Sequence, residues 1–281
     1  MRKIKFWEQA GYQLALLLLA LFVLLPVWGM AYMAFDGSLK GGPVTFRIWP
    51  DQFTFEVFRK VWQDPSQSLT FLGLLKNSLF VAGGAALLSI GFGASMAYAF
   101  ARYRFPGRQT GLFALLVGAF LPPVALMTPL YLLLEAVHLR TSLVGLMIVY
   151  TSIAMPFCIW NMRAAFQAVP DELEEAAFLD GAGALSAFWR ITLPLALPSI
   201  AVAALLAFLI GYTEFAIGWL FVESSQNVTL AMAVSSVLRG TGASWANVAA
   251  LALMMSAPVV VIFLVLQRYL LDRLLIGSVE V

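Results

Sequence analysis

The chain is 281 residues long, 62% hydrophobic and only 11% charged, with a mean hydropathy of +0.89. A water-soluble domain is nearer half apolar and a quarter charged, so a soluble monomer is excluded, and a disordered chain more firmly still. The balance of 17 basic to 15 acidic residues argues against a nucleic-acid partner, and one Cys with one His leaves no internal disulfide framework and no His-based zinc site. A polytopic membrane protein remains.

About 20 mostly apolar residues carry a helix across the hydrocarbon core. Six such stretches are predicted, at 12–35, 71–100, 111–134, 142–162, 195–222 and 248–271, within one all-α transmembrane domain covering 1–281. The first follows Arg2, Lys3 and Lys5, as a secretory signal does. Its apolar run exceeds the roughly 7–15 residues of a signal core, so it reads as a retained span. Segment 36–70, with GGPVTFRIWPDQF and WQDPSQS, reads as a short, partly helical cap on the outer side. In the second span Ser89, Gly93, Ala97 and Ala101 recur every four residues, a small-residue stripe for close helix packing, inside the chain or against a partner. RYRFPGRQ at 102–109 is a tight basic turn.

Arg2, Lys3, Lys5, Arg102, Arg104, Arg108, Arg163, Arg190, Arg268 and Arg273 lie near span ends on one side, which predicts that side, with both termini, to be cytoplasmic. Cys158 reads as an apolar filler of the fourth span, and His138 as a solvated loop residue.

The loop 163–194, RAAFQAVPDELEEAAFLDGAGALSAFWRITLP, is far longer than a turn requires. Pro170 opens a helix whose first turn carries Asp171, Glu172, Glu174 and Glu175, the sign that suits the positive end of a helix dipole. Gly181 and Gly183 allow a sharp bend. A second short helix over 184–191 places Leu185, Phe188 and Trp189 at i, i+3 and i+4, before Leu193-Pro194 ends it. On pattern alone this is either a loop resting on the bilayer or an element that docks in a partner's groove.

In the fifth span Tyr212, Thr213, Glu214 and Phe215 form a polar and aromatic patch. An intramembrane carboxylate marks a functional site by default. The patch either lines a translocation path or bonds to a neighbouring helix. Outside the membrane, Arg239-Gly240-Thr241-Gly242 is either a mobile contact to another protein or a plain connection. No G-x-x-x-x-G-K-[ST] phosphate loop occurs in the chain.

Residues Glu175-Ala176-Ala177, Asp180-Gly181-Ala182, Phe188, Ile191, Leu193-Pro194 and Pro198 resemble the EAA loop of inner-membrane permeases in binding-protein-dependent ABC importers. With Thr213-Glu214, Thr229-Leu230-Ala231 and Trp245, the whole chain is similar to the smaller permease of maltose-type carbohydrate importers (MalG-like). The resemblance implies a non-catalytic subunit of the bacterial inner membrane and an EAA coupling helix seated in a cleft of a separate ATPase. Its partners would be a homologous second permease (MalF-like), two ABC ATPase subunits that bind ATP and Mg, and an extracytoplasmic solute-binding protein. This chain itself would hold no cofactor and no metal. The cargo implied is a di- or oligosaccharide moved by alternating access; a glycerol-phosphate or compatible-solute glycoside is the alternative, and a secondary transporter or membrane scaffold the alternative of another class. Glu175 and Asp180 would stabilise the bend and its docking. Gly181 would permit the turn, Leu185 and Phe188 would fill the ATPase groove, and Arg239 to Gly242 would reach the binding protein.

Overall fold

Apolar length decides most of the architecture. The computed structural model describes residues 6–39, 41–42, 48–65, 68–239 and 244–276. Its elements are α1 (Phe6–Phe35), α2 (Glu56–Gln63), α3 (Phe71–Arg102), α4 (Arg108–Phe120), α5 (Pro123–Ala136), α6 (Leu143–Gln167), α7 (Asp171–Leu179) and α8 (Ala184–Ala187). A π-helical turn (Phe188–Thr192) leads into α9 (Leu193–Leu195), α10 (Leu197–Thr213), α11 (Ala216–Phe221), α12 (Leu230–Arg239) and α13 (Trp245–Ile276). Extended pairing among the described residues is confined to one bridge, Asp36 with Phe53.

Four unbroken helices are long and apolar enough to cross a membrane: Trp7–Phe35, Phe71–Arg102, Leu143–Gln167 and Trp245–Gln267. Two further pairs of apolar helices are each bent at a short break, Arg108–Phe120 with Ala125–Ala136 at 102° and Ala184–Leu195 with Leu197–Thr213 at 78°; counting each pair as one span gives six among the described residues. The expected continuous spans at 111–134 and 195–222 are therefore corrected. The first breaks at Leu121 and Pro122, both extended with ψ near 130°, because each precedes a proline, and a residue before proline is driven out of the α region. The second stops at Thr213, and Glu214 turns extended at ψ 134° before α11 begins.

The chain divides into two compact units, Met1–Phe71 with Val234–Ser256 and Leu72–Ala233 with Ala257–Val281. In the first unit the segment after α1 folds back on that helix's end. Gly37 N–H donates to Gln52 O at 2.9 Å and Thr54 N–H to Phe35 O at 3.0 Å. Phe35 stacks on Phe53 at 5.1 Å and meets Phe55 edge-on. The leucines of α1 from Leu14 to Leu25 are all exposed.

In the second unit α3, α6 and α10 pack at close range. A Cβ added at Gly93 would lie 3.0 Å from Met162 Cε, and one at Gly211 would lie 3.2 Å from Ala82 Cα. The small-residue stripe of α3 thus packs inside the chain, with Ser89 and Ala97 buried. Ala203 and Ala207 of α10 are buried as well, and Cys158 Sγ donates to Ala203 O at 3.5 Å. Near the opposite ends, Asn77 Nδ2 donates to Gln226 O at 2.8 Å and Val228 O at 2.9 Å, tying α3 to the strand-like run before α12. Such bonds satisfy polar groups that burial would otherwise strand.

Candidate functional site

The bend in loop 163–194 is a helix-capping motif written in the sequence. α7 ends at Leu179 with Asp180 as its cap residue, and Gly181 follows at φ +84°. Gly181 N–H donates to Phe178 O at 3.0 Å and Ala182 N–H to Ala177 O at 2.9 Å. These two bonds are the Schellman closure, which satisfies the last carbonyls of a helix and calls for a left-handed residue at the glycine position. A Cβ at Gly181 would meet nothing within 4 Å, so the requirement for glycine is conformational rather than steric.

Beyond the bend, α8 widens into the π turn. Pro194 has no N–H to give Arg190, and in an α-helix its ring would strike that carbonyl. The wider turn removes the conflict, with Leu193 N–H donating instead to Phe188 O. Pro198, four residues on, sits in the first turn of α10, where a missing N–H costs little. The two prolines bracket Ala196, at which the chain turns by 78°.

α7 has one buried residue among nine, and that residue is Glu174. Its carboxylate accepts from Tyr98 Oη at 2.9 Å, from Arg102 Nε at 2.9 Å and from Thr192 Oγ1. Arg102 also pairs with Asp171 and donates through Nη2 to Val169 O at 2.9 Å. Below this node Phe188 packs on Tyr98 with ring centroids 4.7 Å apart and on Phe166 at 6.0 Å. The last turn of α3, the end of α6, α7 and the π turn all meet there.

The expected loop residues divide by face. Leu185 is 72% exposed, as are Leu179 at 91% and Trp189 at 59%, so the outer face is apolar and uncovered. Glu175, Ala176, Asp180 and Gly181 are exposed too; Ala177, Ala182, Ile191 and Leu193 are half-buried, and Pro194 is exposed. The Glu175 and Asp180 side chains bond to no described residue. Phe188, expected in a partner's groove, is a correction: it is only 7% exposed because Tyr98 and Phe166 hold it inward. Glu174 is one of four acids in the predicted first turn, and sequence reasoning misses it; the available signal is its place one residue before the EAA pattern.

Glu214 lies at the break between α10 and α11. Its Oε1 accepts from Ala216 N at 2.8 Å and Ile217 N at 3.0 Å, and its Oε2 from Gly218 N at 3.3 Å and Tyr150 Oη at 2.8 Å. The acid thus satisfies the N–H groups at the start of α11 and bonds to a neighbouring helix. Tyr212 is buried and stacks on Phe208 at 5.1 Å, facing inside the chain. Thr213 and Phe215 are exposed, and Thr213 Oγ1 donates to Leu209 O at 2.8 Å. Arg239 ends α12, whereas Gly240, Thr241 and Gly242 lie outside the described residues.

On the other side of this break, Arg140 donates to Glu135 and to Glu223, each at 2.5 Å, and lies over the Tyr131 ring at 4.9 Å. The hydrogen bond to Glu223 raises the Arg140 pKa, and the same bond holds the Glu223 carboxyl below its usual range.

Comparison with known proteins bears on this geometry. A family model described as "Binding-protein-dependent transport system inner membrane component" matches residues 89–276. The maltose/maltodextrin transport system permease protein MalG of Escherichia coli K12 is 30% identical over 249 residues, 87% of this chain and 84% of that protein. The trehalose transport system permease protein SugB of Mycobacterium tuberculosis is 28% identical over 266 residues, 92% and 93% of the two chains. Among solved structures, a chain of a bacterial ABC transporter involved in import of the acidic polysaccharide alginate superposes with a TM-score of 0.76 at 22% identity, covering 96% of this chain and 99% of that one.

Proposed function

Because the chain belongs to the family of inner-membrane components of binding-protein-dependent transport systems, we propose that this ABC importer permease subunit passes a carbohydrate inward, driven by separate ATPases docked on loop 163–194. The family makes it a non-catalytic, multi-pass subunit of the inner membrane with ATPase, binding-protein and second-permease partners. The sugar reading draws on the maltose/maltodextrin and trehalose permeases to which it is similar. The single observation that carries the docking is the two-sided loop. Leu179, Leu185 and Trp189 present an uncovered apolar face, while Glu174 and Phe188 fasten the reverse face to the spans.

An apolar helix face of that kind fits a groove on a partner. Glu175, Ala176 and Asp180 flank it, Gly181 and Ala182 close the bend, and Ile191, Leu193 and Pro194 carry the chain back into the membrane. Motion of the docked loop reaches α6 and α10, with which it is continuous, and the bundle alternates between outward and inward openings. The Lys and Arg bias supports a cytoplasmic loop and cytoplasmic termini in this reading, with the chain acting as one permease domain. Thr213, Glu214 and Phe215 are the segment nearest the cargo path. Non-helical backbone at membrane depth survives only beside protein or a water-filled cavity, and Glu214-Phe215, between the end of α10 at Thr213 and the start of α11, is such a stretch. Arg239 to Gly242 is the contact to the solute-binding protein.

The test uses the tagged chain purified from its own membranes. An ATPase is expected to co-purify, and to be lost from the Leu179→Asp, Leu185→Asp double variant while the chain stays in the membrane. Retention of the ATPase by that variant overturns the docking. Uptake of labelled maltose, trehalose and glycosylglycerol assigns the cargo, and failure of all three overturns the carbohydrate reading.

A further inference from the structure

We propose that Glu174 is a positioning residue that locks the loop to the cytoplasmic end of α3, so that the stroke of a docked ATPase moves α3 along with the loop. This rests on the function proposed above and extends it to a helix with which the loop has no direct chain connection.

The covalent links of the loop to α6 and α10 are not continuous helix. Toward α6 the chain passes through Ala168, Val169 and Pro170, outside any helix. Toward α10 it passes the π turn, two prolines and a 78° bend. Between these joints α7 is a nine-residue helix held by one buried side chain, a carboxylate only 5% exposed. Were anchorage the sole need, an apolar residue of similar volume would serve at least as well, since a buried ion pair is weak evidence for stability. What a carboxylate adds is direction. Oε2 is fixed from α3 by Tyr98, and Oε1 is shared by Arg102 of α3 and Thr192 of the π turn. Arg102 then closes a second bond to Val169 O at 2.9 Å and pairs with Asp171, so its guanidinium holds the first turn of α7, through Asp171 and Glu174, together with the connector before it. Three elements are thereby held at set angles about one side chain, while the apolar docking face stays free. A rigid joint with two arms on α3 passes rotation as well as pull.

The experiment compares whole assemblies reconstituted in vesicles, with native Glu174 and with Glu174→Gln, and reads three quantities: ATPase subunit bound, ATP hydrolysed, and solute imported per ATP. Glu174→Gln keeps shape and removes charge. It is expected to retain the ATPase and to hydrolyse ATP within about twofold of the unaltered complex. Import per ATP is expected to fall about tenfold, inside the range of 5–150-fold typical of coupling between sites. Hydrolysis and import falling together at an unchanged ratio overturns the proposal, because a merely structural residue behaves that way. Tyr98→Phe and Thr192→Val remove one bond each and leave no stranded charge; a lowered ratio in both is expected. They decide the matter if Glu174→Gln does not assemble, and an unchanged ratio in both overturns the proposal. An unaltered assembly without an ATPase overturns the functional reading itself, a result distinct from any of these.

Discussion

Two carboxylates of this chain, Glu174 and Glu214, each accept a tyrosine hydroxyl, from Tyr98 at 2.9 Å and Tyr150 at 2.8 Å, and each governs an interruption in the helices. They differ in their remaining partners. Glu174 faces a guanidinium whose side chain is only 11% exposed. Glu214 faces three backbone N–H groups at the start of a short helix. The first contact is an ion pair, and its rupture leaves a sheltered cation. The second is a cap, and a neutral amide oxygen can take it over. The same residue type therefore fixes one joint through charge and the other through geometry.

The sharpest way to break this contrast is Glu174→Ala. Removing one member of a buried pair costs about 3–5 kcal/mol, because the other charge stays behind. The thermal midpoint of the detergent-solubilised chain should fall accordingly, and Glu174→Leu combined with Arg102→Leu should recover most of the loss. An unmoved midpoint in Glu174→Ala would mean that Asp171 alone serves the guanidinium. Glu214→Ala comes next, at about 1–2 kcal/mol for a lost helix cap. Glu214→Gln should lose clearly less than Glu174→Gln in the same melts, and the reverse order would defeat the comparison.

A smaller effect sharpens the role of turn geometry. The C-terminal end of α5 closes like that of α7, with His138 N–H on Glu135 O at 3.1 Å and Leu139 N–H on Leu134 O at 2.9 Å. There the left-handed position, φ +56°, is held by His138, where the α7 turn has Gly181. Gly181→Ala should cost about 1–2 kcal/mol, the penalty of a side chain in that region. His138→Gly should gain less than about 1 kcal/mol, since glycine also loosens the unfolded chain. Opposite shifts in thermal midpoint check both.

The smallest effect is acid-dependent. The bond from Arg140 holds the Glu223 carboxyl below its ordinary value of 4.5. A carboxyl depressed on folding stabilises while ionised, so its contribution is complete above that value and fades as pH falls through the lower, folded one. Both carboxylates on Arg140 are largely exposed, so solvent screens the link and the change is slight. Amide protection factors in residues 137–142, corrected for the intrinsic exchange rate at each pH, should fall slightly below about pH 4.5, and Glu223→Gln should remove that step.

Much of this was legible beforehand. Apolar length placed the four unbroken spans, and Gly181 after Asp180 announced the bend. What escaped the pattern depended on distant partners. Asp171, Glu172, Glu174 and Glu175 look alike in a first turn, and only Tyr98 and Arg102, more than 70 residues earlier, select Glu174. Helical spacing puts Phe188 and Trp189 on one face, but the face ends between them, where the α3 and α6 aromatics begin. The break before α11 was hidden because apolar residues continue on both sides. Glu214 itself was the clue, being costly inside an unbroken span and well satisfied at an interrupted one.

Cys158 gives the molecule a built-in gauge. It is the sole thiol of the chain, 1% exposed and directed at the Ala203 carbonyl in the middle of the α6–α10 seam. A maleimide dye should therefore stay silent on the intact fold and react once that seam parts. Reporter cysteines can be placed elsewhere without first erasing a native background.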